Sequence, residues 1–103
     1  RRVLFRSIEN HLAAPISLGL LAGQCALSEY HFARMFRESF GLPPHQYLLA
    51  RRLTHARHLL RTGNQAFGDI AMACGFASAS HFNNRFRQAM GATPGEYRLA
   101  FAR

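Results

Sequence analysis

Apolar residues in this chain recur at intervals of three and four rather than two, so the pattern predicts helices and almost no strand. Leu4, Ile8 and Leu12 form one stripe over about residues 2–13, which Pro15 ends. Ser17 then caps a short helix over about residues 18–24, with Leu18, Leu21 and Ala22 inward. Ser28 opens a helix running to about Phe40 with the stripe Phe32, Phe36 and Phe40, and Gly41 stops it. Pro43 and Pro44 begin the longest helix, which runs to about Thr62 with Tyr47, Leu49, Leu53, Ala56 and Leu60 on its buried side. A short helix over about residues 66–73 is expected to bury Phe67, Ile70 and Ala71. After Gly75, Ser78 opens a helix carrying Phe82, Phe86 and Met90, and Gly91 stops it. Thr93 and Pro94 start a last helix bearing Tyr97 and Phe101. The expected fold is all-α, with seven helices. Two helix-turn-helix subdomains, residues 1–43 and 64–103, are joined by a long linker helix, residues 44–63.

The chain also repeats itself. Residues 28–50 align with residues 78–100 at an offset of 50 without gaps, and ten of the 23 positions are identical. Among them are Ser28/Ser78, His31/His81, Phe32/Phe82, Phe36/Phe86, Gly41/Gly91, Pro44/Pro94 and Tyr47/Tyr97. Upstream the offset is 49, matching Gly19 with Gly68, Ala22 with Ala71 and Cys25 with Cys74. One supersecondary unit is therefore used twice, and the second turn is expected to be one residue longer than the first. Most of these identities maintain the fold, so function is expected on the opposite face.

That face carries Glu29, Tyr30, Ala33, Arg34 and Arg37 on the first long helix, and Ala79, Ser80, Asn83, Asn84 and Arg87 on the second. Each set falls at i, i+1, i+4, i+5 and i+8, one side of a helix. Short amides, hydroxyls and guanidinium groups suit base edges in a major groove, although a merely solvated helix face has similar chemistry. The middle helix, at about 1.5 Å per residue, spans roughly 27 Å. It could set two reading helices about one DNA turn apart, so that both enter successive major grooves. Arg51 and Arg52 near its start are candidate phosphate contacts, and Arg57 and Arg61 are expected only to be solvated.

Charge narrows the partner. The chain has 103 residues and a formal net charge of +8, from 13 basic and 5 acidic residues, and every basic residue is Arg. Arg donates two parallel hydrogen bonds to phosphates and base edges, so a polyanion is the first partner to consider. No stretch approaches the roughly 20 apolar residues of a membrane span. Chain length and an apolar fraction of 49% suit a packed core rather than disorder. The chain opens without Met and is read as a piece of a longer protein. Cys25 and Cys74 have no metal-binding spacing and are read as buried thiols in a reducing cytoplasm. His55 and His58 share a helix face at i, i+3, but no thiol or carboxylate completes a zinc set. No Ser-His-Asp order, glycine-rich phosphate loop or carboxylate pair points to catalysis, so no catalytic residue, cofactor or metal site is assigned.

The order Ile70-Ala71-x-x-Cys74-Gly75-Phe76-x-Ser78-x-Ser80-His81-Phe82, followed by Phe86-Arg87, Gly91, Pro94 and Tyr97-Arg98, resembles the AraC/XylS family of bacterial transcription regulators. Leu21-Ala22, Ser28, His31-Phe32, Arg34 and Phe36 extend the resemblance to the first unit. It covers nearly the whole chain. It implies sequence-specific binding of double-stranded DNA near promoters, and control of transcription with RNA polymerase as a partner. An effector would act only through a separate N-terminal domain. Base contacts carry over to Tyr30, Ala33 and Arg34, and to Ser80, Asn83 and Asn84, with Glu29 and Ala79 at the helix starts. Phosphate contacts carry over to Ser28, Arg37, Ser78 and Arg87. Three residues depart from the family pattern: Ala26 replaces the usual Gly of the first turn, Asn84 stands where Arg is common, and Glu29 puts an acid at the tip of a DNA-facing helix. Two other readings of the charge and helices remain: a helical RNA- or protein-docking module, and the DNA-targeting part of a DNA-repair enzyme.

Overall fold

The computed structural model describes residues 18–101, and only the backbone of Leu18. The helix expected over residues 2–13, the Ser17 cap and the inward placement of the Leu18 side chain therefore lie outside what is described. The described residues form six α-helices and no strand: α1 (Leu18–Gln24), α2 (Glu29–Phe40), α3 (Pro44–Thr62), α4 (Phe67–Ala73), α5 (Ala79–Met90) and α6 (Pro94–Ala100). The chain divides into two compact units, one up to Arg51 and the other from Arg52 onward, so the division falls inside α3.

Local chemistry sets the helix ends. Ser28 is extended at φ −68°, ψ 160°, and its hydroxyl accepts from the His31 N–H at 3.2 Å. Ser78 does the same for the His81 N–H at 3.0 Å. Each hydroxyl satisfies one of the amide donors that a helix start leaves without a partner. Gly41 and Gly91 end α2 and α5 with φ of 82° and 74°, each N–H bonding the carbonyl four residues back, at Arg37 and Arg87. Thr93 and Glu96 form a reciprocal capping box at the start of α6, at 3.1 and 2.8 Å.

The two turns share one design with different residues. Leu27 N–H bonds Ala22 C=O at 2.9 Å and Ala26 N–H bonds Gly23 C=O at 3.1 Å. In the second unit Phe76 N–H bonds Ala71 C=O at 2.9 Å and Gly75 N–H bonds Met72 C=O at 3.2 Å. This paired pattern requires a left-handed residue just past the helix, which is Gly75 at φ 84° in one turn and Ala26 at φ 56° in the other. The second connection is one residue longer, as the repeat offset predicts, and the extra residue lies between Phe76 and the Ser78 cap.

The first core comprises Leu21, Ala22, Phe32, Phe36 and Leu48, with Phe40 and Tyr47 packed against it. In the second unit the buried residues are Leu53, Ala56, Leu60, Ile70, Ala71, Cys74, Phe76, Phe82 and Phe86. Phe36 meets Tyr47 edge-on at 5.5 Å and Phe86 meets Tyr97 edge-on at 5.3 Å, so the same aromatic pair closes both units. Four expectations are corrected. Cys25 is half-buried against the first core rather than buried, unlike Cys74. Leu48, not Leu49, is the deeply buried leucine early in α3, because Pro44 and Leu48 face the first core whereas Leu53, Ala56 and Leu60 belong to the second. Phe67 is 40% exposed rather than buried, with the Arg98 guanidinium 5.0 Å from its ring centre. Arg57 and Arg61 are not simply solvated. Arg57 Nη1 lies 3.9 Å from Met90 Sδ, and Arg61 Nη1 donates to the Tyr97 hydroxyl at 3.3 Å, so both fasten later helices to α3.

Candidate nucleic-acid interface

Two buried phenylalanines, one turn apart, orient each of α2 and α5. With Phe32 and Phe36 inward, Glu29, Tyr30, Arg34 and Arg37 are exposed and Ala33 is half-buried at the edge of the face. With Phe82 and Phe86 inward, Ala79, Ser80, Asn84 and Arg87 are exposed and Asn83 is half-buried. Tyr30 stands out at 72% exposure, a large aromatic side chain held by no core. The two faces thus occupy matched positions on matched helices but carry different groups. The first offers an acid, a phenol and two guanidinium groups; the second offers a hydroxyl, two amides and one guanidinium group.

Neighbours hold the polar groups differently in the two units. Arg34 Nε lies 3.4 Å from Glu38 Oε1 across one turn of α2. At the corresponding places in α5 stand Asn84 and Gln88, and Gln88 Oε1 accepts from Arg85 Nη1 at 3.4 Å. Arg85 Nε also donates to His81 Nε2 at 3.4 Å, while the His31 ring places Nδ1 2.8 Å from the Ser28 hydroxyl. The repeated histidines therefore sit beside the helix starts and do not enter the cores. Glu38 and Arg85 were not singled out from the sequence; spacing of four from Arg34 and of four from His81 is the signal that picks them out.

The remaining candidates separate by burial. Ser28 and Ser78 are exposed caps at the two helix starts. Arg51 and Arg52 are half-buried, and burial pulls the Arg52 guanidinium down from the ordinary arginine value. Arg98 fills in the second unit the place that buried Leu48 fills in the first, and its Nε donates to the Leu60 carbonyl at 3.3 Å. Cys74 is buried and its thiol is pushed up to about 11, which removes it from thiolate chemistry near neutral pH. His55 and His58 are exposed, and no group of three or more potential metal ligands occurs among the described residues.

The sequence pattern of the family described as "Helix-turn-helix domain" matches residues 21–100, spanning both units. The chain belongs to the AraC/XylS family. Among relatives of this AraC/XylS chain is the transcriptional activator RhaS of Escherichia fergusonii, 40% identical over 91 residues, 88% of this chain and 33% of the activator. The probable transcriptional regulator LumQ of Photobacterium leiognathi is 35% identical over 92 residues, 89% of this chain and 37% of that protein. The AraC/XylS chain thus spans about a third of the length of the curated relatives it matches. Its fold is similar to the DNA-binding domain of the global transcriptional factor AdpA, solved in complex with a target DNA, with a TM-score of 0.92 and 30% identity. That likeness covers 97% of this chain and 90% of the AdpA domain. No described helix is long and apolar enough to cross a membrane.

Proposed function

We propose that this AraC/XylS domain binds double-stranded DNA sequence-specifically and regulates transcription initiation, with α2 and α5 as its two reading helices. The observation that carries this reading is the pair of Ser-capped helices, each fixed by two buried phenylalanines and each presenting an exposed polar face at matched positions. Glu29, Tyr30, Ala33 and Arg34 meet bases in one major groove; Ala79, Ser80, Asn83 and Asn84 meet bases in the next. Ser28, Ser78, Arg37 and Arg87 contact phosphate, and Arg51 and Arg52 add charge from α3. The first helix-turn-helix subdomain occupies residues 1–43, the linker helix residues 44–63 and the second subdomain residues 64–103. The likeness to the AdpA domain, solved with its target DNA, supports duplex DNA over RNA as the partner.

Because the two faces differ, the preferred site is asymmetric, with two dissimilar blocks and no palindrome. In a longer regulator this domain works in the bacterial cytoplasm with RNA polymerase as partner, and an effector acts through another domain. Selection of bound duplexes from a random pool tests the reading. Two enriched blocks about one helical turn apart are expected. Enrichment of a single block would remove one reading helix from the proposal, and no enrichment, or preference for structured RNA, would overturn it.

A further inference from the structure

We infer that Glu38 is a positioning residue that fixes the guanidinium of Arg34 for base recognition, giving the first unit a sharper reading than the second. The inference rests on the reading of Arg34 as a base contact. Arg34 and Glu38 lie one turn apart on the same helix, with Nε and Oε1 3.4 Å apart and side chains 67% and 68% exposed. A pair this exposed adds little to folding stability. Its arrangement is also poor for the helix: the cation precedes the acid, the weaker order at i, i+4. Glu38 further stands in the last turn of α2, where the helix dipole disfavours a carboxylate. Helix stability therefore does not account for this acid on a chain of net charge +8 that is to bind a polyanion.

Its contact with Arg34 does account for it. The carboxylate takes the Nε edge of the guanidinium, leaving the fork of the two terminal nitrogens to donate in parallel, as a guanine edge requires. Holding a long side chain in one orientation before binding removes an ordering cost and penalises a base that cannot accept both bonds. In the second unit the same two places carry Asn84 and Gln88, neither of them charged. The device belongs to one half of the repeat. The acid has a cost as well, since it repels phosphates of any sequence.

A double-mutant cycle on the selected duplex tests this, at fixed salt, with Glu38→Gln, Arg34→Ala and the double variant. Each protein is titrated with the selected duplex, with a duplex changed at the base that Arg34 reads, and with a random-sequence duplex. Glu38→Gln should bind the random duplex about 2–5-fold more tightly and discriminate the changed base about 2–5-fold less well. In the Arg34→Ala background, Glu38→Gln should leave discrimination where Arg34→Ala put it. A merely structural role for Glu38 would move helicity or melting temperature, and these are expected to hold. Loss of discrimination in Arg34→Ala with full discrimination in Glu38→Gln would overturn the inference alone. Full discrimination at every base in Arg34→Ala would overturn the reading of Arg34 on which it rests.

Discussion

At Ala26 the first turn puts a side chain where the second turn has a glycine. Both residues adopt the left-handed backbone that the helix-ending hydrogen bonds require. A left-handed conformation costs an L-residue roughly 1–2 kcal/mol, against which the extra freedom of unfolded glycine counts about 0.4–1 kcal/mol. Ala26→Gly should therefore stabilise the first unit by about 0.5–1 kcal/mol, read from a urea or thermal melt, whereas Gly75→Ala should destabilise the second. At Arg34 the question is energetic in another way. A bidentate base contact is worth about 1–3 kcal/mol of discrimination, so Arg34→Ala should relax the preference at one base position by that amount. A uniform loss across all duplexes would identify a phosphate contact instead.

Among the elements, α6 begins with a cap that is linked to pH. The Thr93 N–H donates to Glu96 Oε1 at 2.8 Å, and this bond, then the Thr93 hydroxyl, then the charge of Arg87, hold the Glu96 carboxyl below its usual range. The folded state thus binds that proton more weakly than the unfolded chain does. The cap's contribution is complete at pH above the carboxyl's unfolded value and is lost as pH falls through its lower folded value. Hydrogen exchange at the Thr93 amide should accelerate, relative to its intrinsic rate, across that acid range, and Glu96→Gln should remove this dependence. In α5, burial dominates. Phe86 is fully buried between the Phe82 ring at 5.7 Å and the Tyr97 ring at 5.3 Å. Its replacement by Ala removes that packing and leaves a cavity, at a cost of about 3–5 kcal/mol to the second unit, which a denaturant melt would measure.

For the molecule as a whole, the charge is the property that no single residue supplies. Thirteen arginines against five acids give a net charge of +8, and the affinity of such a chain for a polyanion depends on displaced counterions. With roughly 6–10 phosphate contacts, duplex affinity should fall about 10³–10⁵-fold between 50 and 200 mM salt. A titration series across that range measures the slope, and a flat response would leave the phosphate-contact set without support. Sequence preference, by contrast, should come from the two reading faces and persist at every salt concentration where binding is measurable.

The sequence by itself determined most of the elements. Ser28, Ser78, Gly41, Gly91 and Thr93 act within one turn of the backbone, so their chemistry is local and legible from residue order; the return bond from the Glu96 carboxylate to the Thr93 N–H came from the structure. The paired phenylalanines and the repeat offset determined which sides of α2 and α5 face inward, and hence which residues face out. Only the tertiary structure decided which side of a helix is buried when that helix serves two cores. It put Leu48 inside in place of Leu49 and set Phe67 at the surface under the Arg98 guanidinium. It also turned Arg57 and Arg61 toward Met90 and Tyr97, and showed which acid meets Arg34. Long side chains have many rotamers, and their partners lie 33 or 36 positions away for Arg57 and Arg61. Periodicity fixes where such a side chain starts, and only packing fixes where it ends.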